Sequence, residues 1–95
     1  LGRSRVWGGE SPLYGPSWTL DNPFTARNYR SEAGLPISNS GEYLAFGQLI
    51  DETGVIYTHA KPAEYGQTGG WQEVIVPDPR QQIRLIYTTK VTPPF

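Results

Sequence analysis

Three side chains carry the chemistry that this sequence could perform. Glu73 stands in "GQTGGWQEVIV" (66–76), directly before an apolar run. On a strand over 71–76, Trp71, Glu73 and Ile75 share one side, while Val74 and Val76 face the core. A carboxylate in a row with two large apolar groups needs a solvent-open cleft or a partner. Arg5 sits mid-strand in "SRVWG", just before the Gly8-Gly9 pair. Its planar guanidinium could clamp a phosphate or a ribose hydroxyl, and the glycines would let a ligand approach the backbone. The plainer reading is a solvent-facing arginine on an edge strand. Ser17-Trp18-Thr19 follows a Gly-Pro turn. It is either a strand start with Trp18 in the core, or a pair of hydroxyls orienting an arginine, a ribose and a carboxylate.

Other chemistries have thinner support. His59 is the single histidine, and general acid–base work would need a second group such as Glu64 or Glu73 beside it. A lone histidine in a mixed strand is more often a half-buried polar residue. No serine lies in a nucleophile elbow, and neither a zinc-type histidine pair nor a calcium-loop pattern occurs, so no metal is expected. No phosphate loop or G-x-G-x-x-G is present, so a nucleotide would have to be held differently.

These residues must be positioned by short elements. Strands are expected at 4–8, 43–50 (with a bulge or close approach at Gly47), 55–60, 71–76 and 82–89. The clearest helix signal lies in "DNPFTARNYRSEAGLP": Asn22 can cap, Pro23 fits the first position and Gly34 can close the end. Ala26, Tyr29 and Ala33 would share its packed face, leaving Arg27 and Arg30 solvated. "KPAEYGQTGG" (61–70) is the longest late polar loop, with glycines that would allow closure.

The 95 residues suffice for one domain, here taken as 1–95. Eleven glycines and nine prolines favour short strands and shaped loops over a helical bundle. Net charge −1 gives no footprint for a polyanion, so nucleic acid is not required as a partner. The absence of cysteine removes disulfides and thiolate zinc sites. No stretch approaches the ~18 apolar residues of a membrane span, and no membrane partner is expected. An opening on "LGRSR" without methionine would suit a C-terminal module released from a longer protein.

The order Arg5, Ser17-Trp18-Thr19, Glu73 resembles ADP-ribosyltransferase toxin domains of the arginine–serine–glutamate kind. The blocks "RVWGGES…GPSWTLDNPFTARNYRSEAGLP" and "GGWQEVIVPDPRQQIRLI" resemble the C-terminal toxin modules of bacterial Rhs polymorphic proteins, over nearly the whole chain. The resemblance implies an α+β ADP-ribosyltransferase-like fold, with two short packed β-sheets and one main helix. It implies transfer of ADP-ribose from NAD to a target protein, elongation factor Tu, which would block translation. Delivery by a type VI secretion system into the target-cell cytoplasm, a cognate immunity protein and a monomeric toxin complete the expectation.

Carried over, Arg5 would hold a ribose or phosphate of NAD. Ser17 would position NAD and the glutamate with Thr19 in support, and Glu73 would stabilise the oxocarbenium-like centre. Trp7 and Trp71 could stack on a ring, with Gly8 beside them. Tyr65, Gln67 and Gln72 would face the target protein. Many relatives that modify arginine carry an acid two positions before the catalytic glutamate, where this chain has Trp71. Arginine is therefore not implied as the acceptor, and NAD hydrolysis without protein transfer stays open. So do a ribonuclease toxin using His59 and Glu64 with Arg80 or Arg84, and a non-enzymatic binding domain whose aromatics form an interface.

Overall fold

The run "YLAFGQL" has apolar residues on both faces, as a central strand does. In the computed structural model, which describes residues 2–25, 28–64 and 66–91, it forms β3 (Tyr43–Leu49) in the middle of a sheet. Strand β1 (Gly2–Trp7) and strand β6 (Ile83–Lys90) flank it antiparallel, in the order β1-β3-β6. The register slips between Phe46 and Gly47. A side chain at Gly47 would lie 2.6 Å from Ile83 Cγ2, so the strands close there only around a glycine. A second antiparallel sheet orders β2 (Ser17–Trp18), β5 (Gln72–Ile75) and β4 (Ile56–His59), with β5 central.

A two-way backbone bridge joins the sheets. Ser4 N donates to Thr19 O at 2.8 Å, and Thr19 N donates back to Ser4 O at 2.7 Å. One core cluster holds Trp18, Ala45, Val74, Val76 and Ile83; a second holds Val6, Tyr29 and Trp71. Val74 and Val76 are fully buried, each side chain contributing about 1.5–3 kcal/mol by leaving water.

The expectation of one main helix is corrected. The domain is α+β, with two three-stranded antiparallel sheets and, among the described residues, only two short helices: α1 (Tyr29–Glu32) and α2 (Pro79–Gln82), four residues each. The capping signal at Asn22-Pro23 is used by a turn instead. Asn22 Oδ1 accepts from Phe24 N at 2.9 Å, and Asn22 O accepts from Thr25 N at 3.1 Å. The helix starts at Asn28, whose Oδ1 accepts from Ser31 N while Glu32 Oε2 accepts from Asn28 N. Gly34 ends the turn at φ +64, where a side chain would strike the carbonyl of Lys61. Tyr29 is buried, Ala33 half-buried, and Arg30 Nη2 donates to Pro36 O at 3.0 Å. Ala26 and Arg27 lie outside the described residues. None of the described helices is long and apolar enough to cross a membrane.

Candidate active site

The Ser4–Thr19 bridge lays the chain after β2 along β1, which brings Arg5 under the loop that precedes β2. Arg5 is only 7% exposed, and its guanidinium is held by that loop. Nε donates to Pro12 O and Leu13 O, both at 3.1 Å, and Nη1 to Ser17 O at 2.7 Å. Nη2 donates to Ser11 Oγ at 2.8 Å and Pro12 O at 3.0 Å. Burial pushes its pKa down to about 10, which still leaves a cation at neutral pH. Carbonyl dipoles, with no carboxylate among them, compensate the charge. Gly15 makes this possible, because a side chain there would occupy the space of the guanidinium.

Ser17 is the link to the second strand. Its carbonyl accepts from Arg5, and its hydroxyl donates to Glu73 Oε2 at 2.8 Å. The β2–β5 register pairs Ser17 with Ile75, so the hydroxyl reaches diagonally to Glu73. Residues 5, 17 and 73 thus form one continuous hydrogen-bonded chain. Glu73 is half-buried, and its Oε1 has no hydrogen-bond partner among the described residues. Glu73 lines two depressions. One, of about 60 Å³, is lined by Ser4, Arg5, Ser17, Trp18, Trp71 and Glu73 among others. The other, of about 150 Å³, is lined by Leu20, Tyr57, Thr58, His59, Gln72 and Glu73.

The remaining sequence candidates divide. Thr19 and Trp71 line the first depression, and Gln72 lines both. Trp71 is also core, 8% exposed against Val6 and Tyr29. Trp7 and Gly8 are not in either lining: Trp7 stacks on Tyr43 at 4.7 Å, and Gly8 packs under Ser40. Gln67 is occupied as a clamp. Its Oε1 accepts from Ala63 N and Glu64 N, and its Nε2 donates to Leu35 O at 2.8 Å. Tyr65 lies outside the described residues. The end of the loop 61–70, whose glycines were expected to allow closure, is tied to α1, with Thr68 N donating to Ser31 Oγ, Gly69 N to Ser31 O and Trp71 N to Glu32 O.

His59 shares the wider depression with Glu73, but Glu64, Arg80 and Arg84 are not in its lining. Glu64 accepts from Ile37 N, and Arg80 lies 4.7 Å over the Tyr14 ring. Among the described residues no group of three or more histidine, cysteine, aspartate or glutamate side chains could hold a metal ion. Asp21 was not singled out by sequence, yet its carboxylate accepts from Gln72 N at 2.8 Å and so ties the chain after β2 to the start of β5. Its only local signal is a threonine turn, in which Asp21 N donates to Thr19 Oγ1 at 3.0 Å. No family model, no curated protein and no solved structure matches the chain.

Proposed function

We propose that the domain is an NAD-dependent mono-ADP-ribosyltransferase acting as an antibacterial toxin. The observation that supports this reading most is the chain from Arg5 through Ser17 to Glu73, with one carboxylate oxygen held and the other open. As the bond between the ribose carbon and nicotinamide lengthens, positive charge grows on that carbon. A carboxylate already fixed by Ser17 gains attraction as the charge appears, mainly in the transition state. Its open Oε1 is placed to accept a hydrogen bond from a ribose hydroxyl. Nicotinamide departs as a neutral amide, and a nucleophile of the target protein bonds to the ribose carbon and loses its proton.

In this reading Arg5 fixes the carbonyl of Ser17 and adds positive potential for an anionic dinucleotide, without gripping it as a free fork. The narrower depression, at ~10–15 Å³ per water position, has room on the order of five waters. That suits one ring against Trp18 and Trp71. The wider depression, lined by Tyr57, Thr58, Gln72 and Glu73, suits the acceptor. Elongation factor Tu as target, delivery by a type VI secretion system and neutralisation by an immunity protein belong to the same proposal and rest on the sequence resemblance.

A second reading is NAD hydrolysis, favoured by the exposure of the whole of β4 beside Glu73, which leaves the acceptor side open to water. Incubation with NAD labelled in its adenylate half and a bacterial lysate separates the two. Transfer predicts a labelled protein band of the mass of elongation factor Tu, absent with Glu73→Gln. Nicotinamide release without any labelled protein would leave hydrolysis, and neither product would overturn both readings.

A further inference from the structure

The Ser4–Thr19 bridge joins β1 to the chain after β2 and leaves β4 and β6 as the outer strands. These two edges differ. β6 carries Arg84 and Lys90, and its pairing with β3 slips between Phe46 and Gly47. Charges and bulges of this kind keep foreign strands from adding to an edge. β4 holds no lysine, arginine, acid or proline. Ala60 N donates to Trp71 O at 2.7 Å, and antiparallel alternation turns the amides of Thr58 and Ile56 to β5 as well. The amides and carbonyls of Tyr57 and His59 therefore point outward, where no described strand pairs with them.

All four residues of β4 are exposed, Ile56 by 57% and Tyr57 by 52%, on opposite faces of the strand. The Tyr57 ring is nevertheless held. Nη2 of buried Arg3 donates to its hydroxyl at 3.3 Å with the guanidinium 5.9 Å from the ring, and the hydroxyl donates to Glu52 Oε1 at 2.9 Å. An exposed aromatic fixed in one orientation loses little freedom when it is covered, as interface anchors do. Thr58 stands opposite Glu73, so the two side chains share a face. Carboxylates dominate the surroundings. Asp51 and Glu52 lie in the turn before β4 and half-buried Glu73 beside it, against exposed Lys61 after its end and Arg3 beneath Tyr57.

We propose that β4 is the docking edge for the target protein, which adds an extended segment of net positive charge along Ile56–His59. The proposal rests on the transferase reading above and names the surface that selects its protein substrate. The segment's backbone completes the outward groups of Tyr57 and His59, and its side chains meet Ile56 on one face and Tyr57 on the other. Two strand spacings, about 10 Å, separate such a segment from β5. Its residue opposite Thr58 points to the Glu73 side, where a long side chain reaches the ribose carbon beside the carboxylate.

The test compares label transferred to protein with nicotinamide released, in a bacterial lysate supplied with NAD labelled in its adenylate half. His59→Pro removes one outward amide and keeps the ladder to β5. Ile56→Lys and Ile56→Glu place opposite charges on the edge, and melting curves check that each variant folds. His59→Pro and Ile56→Lys are expected to lower the ratio of labelled protein to nicotinamide about tenfold. Ile56→Glu, which loses the same apolar contact but suits a basic segment, is expected to keep most of it. Ile86→Lys, at an exposed position of β6, is expected to match the wild type. Should His59→Pro melt below the assay temperature, the Ile56 pair decides. A wild-type ratio in both His59→Pro and Ile56→Lys would overturn the docking edge and leave the transferase reading standing. Equal losses with lysine and glutamate at position 56 would overturn the basic segment. A wild-type domain that sediments as a dimer, and as a monomer with His59→Pro, would assign the edge to a second copy and overturn the proposal. Neither labelled protein nor nicotinamide from the folded wild type would overturn the NAD-dependent reading, and the docking edge with it.

Discussion

Replacing Arg5 by lysine keeps the charge and removes the fork. In the wild type the guanidinium reaches Pro12 O, Leu13 O, Ser17 O and Ser11 Oγ from three nitrogens. An ammonium group is a single point and can satisfy only part of that set. Losing about two carbonyl partners at about 1 kcal/mol each gives a deficit of about 2 kcal/mol. For a domain of this size that corresponds to a fall in Tm of about 8–16 °C. It is a large share of a total stability of about 5–10 kcal/mol, yet the variant should still fold. Below both transitions, the loosened Ser17 no longer holds Glu73 in one place, so kcat for nicotinamide release should fall with KM nearly unchanged. Thermal melts followed by circular dichroism and initial rates at several NAD concentrations read both effects. An unchanged Tm with a raised KM would refute the reasoning, since Arg5 would then be handling the ligand and not the loop.

Gly15→Ala puts a methyl group where the Arg5 guanidinium lies, so it should destabilise by about 1–3 kcal/mol and lower activity in the same way, read by the same melts and rates. Tyr29 donates to Gly41 O at 2.6 Å, and burial raises its phenol above the usual value. The folded state thus keeps that proton to higher pH than the unfolded chain, and the stability present below about pH 10 is lost as pH rises through the raised value. Tyr29→Phe should cost about 1–2 kcal/mol near neutrality and should flatten the alkaline decline of Tm; a decline as steep as in the wild type would assign it to other groups. Gln82 is buried and donates to Asp51 O and Thr53 O, so Gln82→Ala should lower stability by about 2 kcal/mol, measured by urea unfolding. His59→Ala should retain nicotinamide release, and its loss in a folded variant would favour acid–base chemistry at that histidine.

The strands were legible where the pattern is strong. Val74 and Val76 face the core, and Gly47 marks the register slip in β3. The helix was overextended because Asn22-Pro23 and Asn28 both carry capping chemistry, and only the hydrogen bonds decide between a turn and a helix start. The contact between Ser17 and Glu73 joins residues 56 positions apart, and only the resemblance placed them in one site. What Arg5 does was hidden, because its partners are mostly backbone carbonyls, which every residue type offers equally. Gln67 illustrates the same limit: an amide that reads as surface recognition is consumed by the backbone of its own loop and of the turn after α1.

The central claim is that Glu73, held by Ser17, stabilises positive charge at the ribose carbon of NAD. The most direct measurement is the initial rate of nicotinamide release by wild type and by Glu73→Gln. The glutamine can still accept from Ser17 Oγ, so the melting curve should be unchanged while the compensating charge is gone. The account predicts a fall in kcat of about 10²–10³-fold, equivalent to about 2.7–4 kcal/mol. A Glu73→Gln domain that releases nicotinamide at the wild-type rate would contradict it.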